Sequence, residues 1–281
     1  MKLFIIATAL FFLIWAIRRA YRNTKDVVFT KIAVGQGSGA APVLNILQLS
    51  DLHLENISIS PEDLFEKVKR EKIDLIAITG DFLDRKRSIP RLVPYLRALR
   101  KLDAKYGMYA VLGNHDYVLK GENLQSLINT LKQEGCKVLH NENRHILVNG
   151  QLVNIIGIDD FSTGRSKLEA SYKGLKDGMN VVLTHDPNVV LHMKDYHFDY
   201  LLSGHFHGGQ ICYPKAYHLV KMGRLVRMNM IKGLHWHDGK PFYINEGLGQ
   251  TGINIRVGSR PEITLHQLFF ASAKSASHPA V

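Results

Sequence analysis

The polar and apolar positions divide this chain into three unequal parts. Leu3 to Ile17 is apolar and uninterrupted by charge, and Arg18, Arg19, Arg22 and Lys25 follow at once. As a helix that run spans about 22 Å, short of the roughly 30 Å hydrocarbon core, a gap that Lys2 and the arginines close by snorkelling. The pattern predicts an N-terminal membrane anchor over residues 1–25; a cleaved signal peptide and a buried core helix are the rival readings. The basic flank places the following domain on the cytoplasmic side by the positive-inside rule.

A Gly-, Ser- and Pro-containing stretch, Gly35 to Pro42, follows, and residues 26–42 are taken as a linker. From Val43 the pattern becomes regular. Strand-length apolar runs occur at Val43 to Leu49, Ile73 to Thr79, Met108 to Leu112, His145 to Val148, Leu152 to Ile158, Asn180 to Thr184, Asp199 to Ser203, Pro241 to Asn245 and Ile263 to Leu268. Helices are expected from Pro61, with Ser60 as N-cap, and over Arg91 to Lys105. The first half reads βαβαβ, and the second is richer in strands and carries the hairpin signal Asn149-Gly150. The expected fold class is α/β: two packed mixed β-sheets flanked by helices, a four-layer αββα sandwich over residues 43–270, with a flexible tail at 271–281.

Composition adds constraints of its own. A length of 281 residues with 46% hydrophobic is enough for one domain with a sizeable core. Two distant cysteines, Cys136 and Cys212, give neither a disulfide framework nor a metal-ligand spacing. A formal charge of +11 implies an anionic partner: nucleic acid, an anionic membrane surface or a phosphorylated substrate. Fourteen histidines is a high count, and several fall in short Gly-bounded clusters.

The candidate chemistry sits at the C-terminal ends of the apolar runs, the edge on which open α/β sheets build their sites. Five blocks occur there: Ser50-Asp51-Leu52-His53, Gly80-Asp81-Phe82-Leu83-Asp84-Arg85, Gly113-Asn114-His115-Asp116, Thr184-His185-Asp186 and Gly204-His205-Phe206-His207-Gly208-Gly209-Gln210. Asp51 and His53, at i and i+2, point to one side if the backbone there is still extended. A mixed imidazole and carboxylate donor set suits Mn, Zn or Fe better than an all-oxygen Mg or Ca cage.

In this order the blocks resemble the calcineurin-like metallophosphoesterase superfamily, whose pattern is D-x-H, G-D-x-x-D, G-N-H-D/E, a lone His, and G-H-x-H. The resemblance spans roughly Val43 to Leu268. The G-H-x-H-G-G-Q form and the late Arg260-Pro261-Glu262-Ile263-Thr264 look like its bacterial membrane-associated branch, which carries Arg where this chain has Glu246; that departure bears on substrate contacts. The resemblance implies two divalent metal ions. Asp51, His53, Asp81 and His207 would hold one, Asn114, His185 and His205 the other, with Asp81 bridging. It also implies hydrolysis of a phosphate ester or anhydride by in-line attack of a metal-bridging hydroxide. His115, oriented by Asp84, would protonate the leaving oxygen. Arg85 would either neutralise phosphate charge or remain a solvated loop residue.

By analogy within the superfamily, a lipid-linked phosphate such as UDP-diacylglucosamine is one expected substrate, met at a bacterial inner membrane. A nucleic-acid or cyclic-nucleotide phosphodiesterase and a non-catalytic scaffold of the same fold are the alternatives. Nucleic acid is not expected as a partner, because the basic residues are partly spent on the membrane flank and no nucleic-acid module is recognisable.

Other residues are read more plainly. His140, His145, His192, His197, His218, His266 and His278 are expected as surface or satisfied polar residues, while His235 and His237 either line a pocket mouth or do not. Asp116 and Asp186 either orient the imidazoles or are solvated acids. Tyr213 to Lys232, basic and apolar together, is either a membrane-facing surface or a strand pair with a solvated basic face.

Overall fold

A computed structural model describes residues 1–35 and 44–269. Helix α1 (Lys2–Asn23) leads into strand β1 (Val28–Val34). The first sheet is then built from β2 (Leu44–Leu49), α2 (Pro61–Val68), β3 (Leu75–Thr79), α3 (Ile89–Arg100), β4 (Met108–Val111), α4 (Glu122–Gln133) and β5 (Cys136–Val138). Next come β6 (Glu142–Val148), β7 (Gln151–Gly157), α5 (Leu168–Tyr172), β8 (Met179–Leu183), β9 (Tyr200–Ser203), α6 (Arg224–Arg227), β10 (Gly233–His237), β11 (Lys240–Ile244) and β12 (Glu262–Leu268).

Two six-stranded sheets result, in the orders β1-β12-β2-β3-β4-β5 and β10-β11-β9-β8-β7-β6. In the first, β2 to β5 run parallel and β12 is antiparallel to β2. In the second, β7, β8, β9 and β11 run parallel between antiparallel edges β6 and β10. The inner faces meet through Leu44, Ile46, Leu75, Ala77, Tyr109 and Val111 on one side and Val153, Ile155, Val181, Leu183, Tyr200 and Leu202 on the other. The outer faces are covered by α2 to α4 and by the 187–231 region. This is the expected αββα sandwich.

A polar chain crosses between the sheets. Gln48 Nε2 donates to Thr79 Oγ1 (3.0 Å) and to the Ser203 carbonyl (2.9 Å), while its Oε1 lies 2.9 Å from His266 Nε2. Tyr200 Oη is 2.8 Å from His266 Nδ1. Tyr200 can donate to Nδ1 only if the ring is neutral with its proton on Nε2, and burial pushes His266 down to about 3.

Local signals act where the chain chemistry demands. Ser60 caps α2 by accepting from the Asp63 N–H at 3.0 Å, with Pro61 at the first helical position. Asn149 (φ 51°) and Gly150 (φ 84°) form the two-residue turn between β6 and β7. Three expectations need correction. Helix α3 runs from Ile89 to Arg100, not Arg91 to Lys105: Pro90 falls in the first turn, where no amide N–H is required, and the chain turns at Asp103 with φ 49°. The expected linker over 26–42 contains β1, which pairs in parallel with β12 from Val28↔Glu262 to Val34↔Leu268. Thr30 and Lys31 interrupt its alternation because it is an edge strand, and Lys31 pairs with Glu71 at 2.7 Å. Tyr213 to Lys232 is not a strand pair: it holds a 3₁₀ turn at Tyr217–Met222 followed by α6. The remainder of the expected linker, 36–42, and the tail at 271–281 with His278 lie outside the described residues.

Helix α1 is 22 residues long, about 33 Å at the usual rise, and long and apolar enough to cross a membrane. Ala20 is its buried residue, which rules out the core-helix reading.

Candidate metal centre

Because β2, β3, β4, β8 and β9 point the same way within their sheets, the loops after them converge. Asp51 and His53 follow β2, Asp81 and Asp84 follow β3, Asn114 and His115 follow β4, His185 follows β8, and His205 and His207 follow β9. The local backbone is unusual. Asp51 (φ 48°), His53 (φ 35°), Asp81 (φ 54°), His205 (φ 77°) and His207 (φ 50°) all adopt left-handed conformations that cost non-glycine residues energy. The extended backbone on which Asp51 and His53 would point to one side is not present: β2 ends at Leu49, and both residues have positive φ. Close approach explains two of the motif glycines. A Cβ on Gly113 would strike the Asp81 carboxylate, and one on Gly204 would strike Ser50 Oγ and Asp51 Oδ2.

Three donor clusters result, each with its ligand atoms mutually within 4.8 Å: Asp51, His53 and His207; Asp81, His185 and His205; and, less buried, His53, Asp84 and His115 at the rim. His207 Nε2 lies 3.3 Å from Asp51 Oδ1. His185 Nε2 lies 3.1 Å from both Asp81 Oδ2 and His205 Nδ1. Asp81 joins the clusters, since its Oδ2 is also 3.6 Å from His53 Nε2.

The ring orientations are set from behind. His185 Nδ1 donates to the Thr79 carbonyl (2.8 Å) and His207 Nδ1 to the Gly249 carbonyl (3.1 Å), leaving each Nε2 lone pair facing inward. His53 Nε2 and Asn114 Oδ1 are buried without any hydrogen-bond partner. Orphaned lone pairs beside two buried carboxylates are what a cation would satisfy and packing alone would not. The residues present therefore fit a divalent metal centre.

The electrostatics agree. Burial by itself would raise both carboxyls, but the imidazoles of His207, His185 and His53 hold Asp51 below the ordinary carboxylate range, and those of His185, His53 and His115 do the same for Asp81. Burial pushes His207 down to about 3 and also lowers His205, so both are neutral and able to ligate. His185 goes the other way. Against the effect of burial, Asp81 and Asp51 raise it well above 6.5, so that without a metal a proton takes the place of the missing positive charge.

His115 and Asp84 form the rim. His115 Nδ1 lies 2.8 Å from Asp84 Oδ1, and the His115 N–H donates to Asp81 Oδ1 at 2.8 Å. Asp116 and Asp186 make no hydrogen bond to an imidazole. Asp116 accepts from the N–H groups of Asp81, Phe82 and Gly113, fixing the two glycine turns against each other, and Asp186 accepts from Asn188. Arg85 is exposed and its backbone N–H donates to Glu55; it does not line the central cavity. His235 and His237 do not line it either. Glu246 pairs with Lys232 at 3.2 Å.

That cavity, about 240 Å³, is lined by Asp81, Asn114, His115, His205 and His207 and has a second, apolar wall of Phe206, Ile211, Leu219, Met222 and Ile253. His218 also lines it, although its sequence neighbourhood carries no metal-site signal. Sequence reasoning missed Asn188 as well. Its side chain donates to the Met222 carbonyl (2.8 Å) and accepts from the Leu225 N–H (3.2 Å), pinning the apolar wall to the His185 loop.

The calcineurin-like phosphoesterase family description matches residues 44–209, and the chain belongs to that family. Among its relatives, the uncharacterized metallophosphoesterase YkoQ of Bacillus subtilis (strain 168) is 64% identical over 89% of this chain and 93% of its own length. The uncharacterized metallophosphoesterase YkuE of the same organism is 31% identical over 79% of this chain and 78% of its own. The UDP-2,3-diacylglucosamine pyrophosphatase LpxG of Chlamydia muridarum (strain MoPn / Nigg) is 27% identical over 81% of this chain and 84% of its own.

Proposed function

We propose that this chain is a dinuclear metal-dependent phosphohydrolase acting on a phosphate ester or anhydride at a membrane surface. The observation that carries the reading is the meeting of two donor clusters at Asp81 beneath an open cavity. Asp51, His53, Asp81 and His207 would hold one ion, and Asn114, His185 and His205 would hold the second together with Asp81. Divalent Mn, Zn or Fe bound there supplies positive charge for the phosphoryl oxygens and renders water nucleophilic at neutral pH. His115, paired with Asp84, faces the same cavity and is the proton donor to the leaving oxygen. Arg85 stands outside the cavity and contributes to substrate only through a longer-range charge. Hydrolysis of p-nitrophenyl phosphate and bis-p-nitrophenyl phosphate by metal-loaded protein tests the reading; a chain that binds two ions yet cleaves neither is a scaffold.

The substrate class follows from the second wall. Ile211 and Ile253 are 38% and 67% exposed beside polar metal ligands, which is costly in water and favourable against a hydrocarbon chain. Exposed Lys215, Lys221, Arg224 and Arg227 lie in the same segment as Leu219 and Met222 of that wall, and α1 exposes an apolar run from Leu3 to Ile17 ahead of its arginines. A lipid-linked phosphate matches this combination, with the anhydride at the metals and the acyl portion against Phe206, Leu219 and Ile253. The LpxG relative acts on such a compound by name. In this reading α1 sits in the bilayer, the basic segment meets anionic lipid, and the domain is cytoplasmic. Replacing Ile253 by Ser should raise KM for a lipid-linked diphosphate about tenfold and leave p-nitrophenyl phosphate turnover unchanged, as loss of a substrate-pocket contact does. Equal effects on both would rule out the acyl wall.

A further inference from the structure

Arg256 is fully buried although no motif points to it. Burial pulls its guanidinium down to about 10, so it remains charged at neutral pH, and a charge kept out of water needs a structural reason. Backbone carbonyls supply its partners. Nη1 donates to Glu246 O (2.8 Å), Arg260 O (2.9 Å) and His207 O (3.3 Å), and Nη2 donates to Gly247 O (3.0 Å) and Gly249 O (2.8 Å).

The Gly249 carbonyl is the one that accepts from His207 Nδ1, so the guanidinium and the imidazole share an acceptor. Holding that carbonyl in place holds the ring with Nε2 towards Asp51. The same turn grips Asp51 directly, through Gly249 N–H donating to the Asp51 carbonyl at 2.7 Å. On its other side, the Arg256 backbone carries the last turn of α1: its N–H donates to Ala20 O (3.0 Å), and its carbonyl accepts from Asn23 Nδ2 (2.9 Å).

We infer that Arg256 is a positioning residue joining the last turn of α1 to His207, so that affinity at the Asp51/His53/His207 position depends on how the helix is seated. This rests on the metal reading above. The other position has a support of its own, because its His185 is held by the Thr79 carbonyl inside the sheet.

The test is a Mn²⁺ titration of the full-length chain in detergent, comparing wild type with Asn23→Ala, Arg256→Lys and Arg256→Met, and using His207→Ala to mark which ion is which. Arg256→Met should weaken the His207-dependent ion about tenfold or more, as loss of a ligand's supporting contact does, and leave the second ion unchanged. Arg256→Lys should recover part of the loss, since an ammonium reaches fewer of the five carbonyls. Asn23→Ala, on a half-buried helix end, should shift the same ion in the same direction by less. Arg256→Met and Asn23→Ala with wild-type affinity at both positions overturn the inference. So does equal weakening of both ions with a lowered Tm, which makes Arg256 a general support. Should Arg256→Met fail to fold, Asn23→Ala decides. A wild-type chain that binds fewer than two ions refutes the metal reading itself, an outcome read before any variant.

Discussion

Asp84 Oδ1 lies 2.8 Å from His115 Nδ1 and 3.1 Å from His53 Nδ1, so one carboxylate oxygen orients the candidate proton donor and a candidate metal ligand together. His115→Ala should keep both metals and lose about a hundredfold or more in kcat, the usual size of a general-acid contribution. Asp84→Ala should lower kcat and also weaken the ion on His53, because that ring loses its partner. Turnover with paired metal analysis checks both. A His115→Ala protein with normal kcat would remove His115 from the chemistry, and one that has lost metal would make it a ligand.

The same pair sets a pH limb. Burial would lower His115, but the hydrogen bond to Asp84 and the charges of Asp81 and Asp84 outweigh it and raise the ring to about 9. Bound cations pull it back down, so the limb falls at or below about 9. The acid is competent below that value, so kcat should fall as pH rises through it, and His115→Gln should flatten the fall. An alkaline limb retained in His115→Gln would assign it to another group.

Stability carries a second titration, at His266. Its folded value, about 3, lies below the ordinary 6.5, so the unfolded chain binds the proton first. The contribution is complete above about pH 6.5 and is lost as pH falls from there towards 3, at up to about 1.4 kcal/mol per unit. Denaturant unfolding at pH 7 and pH 5 should show wild type losing about 2 kcal/mol more than His266→Gln. Equal losses would mean that His266 is not held neutral in the fold.

In the proposed arrangement, attachment to the membrane would divide between two surfaces. The apolar α1 should keep the protein in the membrane pellet through high-salt washing, because insertion is not screened, whereas the basic segment at Lys215, Lys221, Arg224 and Arg227 acts through screened attraction. Neutralising those four should slow hydrolysis of a lipid-embedded substrate at low salt, with little effect at high salt or on a soluble ester. Release by salt alone, or a C-terminal tag reached only from outside the cell, would contradict the cytoplasmic arrangement.

The fold was legible where residues alternate cleanly or a motif punctuates a strand end. The strands carrying Asp51, Asp81, Asn114, His185 and His205 all form within two residues of where the pattern puts them. Helix α4 has Leu124, Leu127, Ile128 and Leu131 on one face, a weaker pattern than the apolar strand runs on either side of it. Strand β1 was hidden because an edge strand needs apolar residues only where a neighbour covers it. Arg256 and Asn188 act through backbone carbonyls and amides distant in sequence, which leave no spacing to detect. The left-handed backbone at Asp51 and His53 was likewise invisible, since tertiary packing, not the identity of Asp or His, imposes it.

The central claim is that two metal ions share Asp81. Elemental analysis of the purified full-length chain, wild type beside Asp81→Ala, His205→Ala and His207→Ala, tests it most directly. The account predicts two divalent ions per wild-type chain, loss of one ion when either histidine is removed, and failure of Asp81→Ala to retain two at wild-type affinity, with chelation abolishing hydrolysis and Mn restoring it at least as well as Mg. Two ions retained by Asp81→Ala at unchanged affinity, or hydrolysis that survives complete chelation, would contradict it.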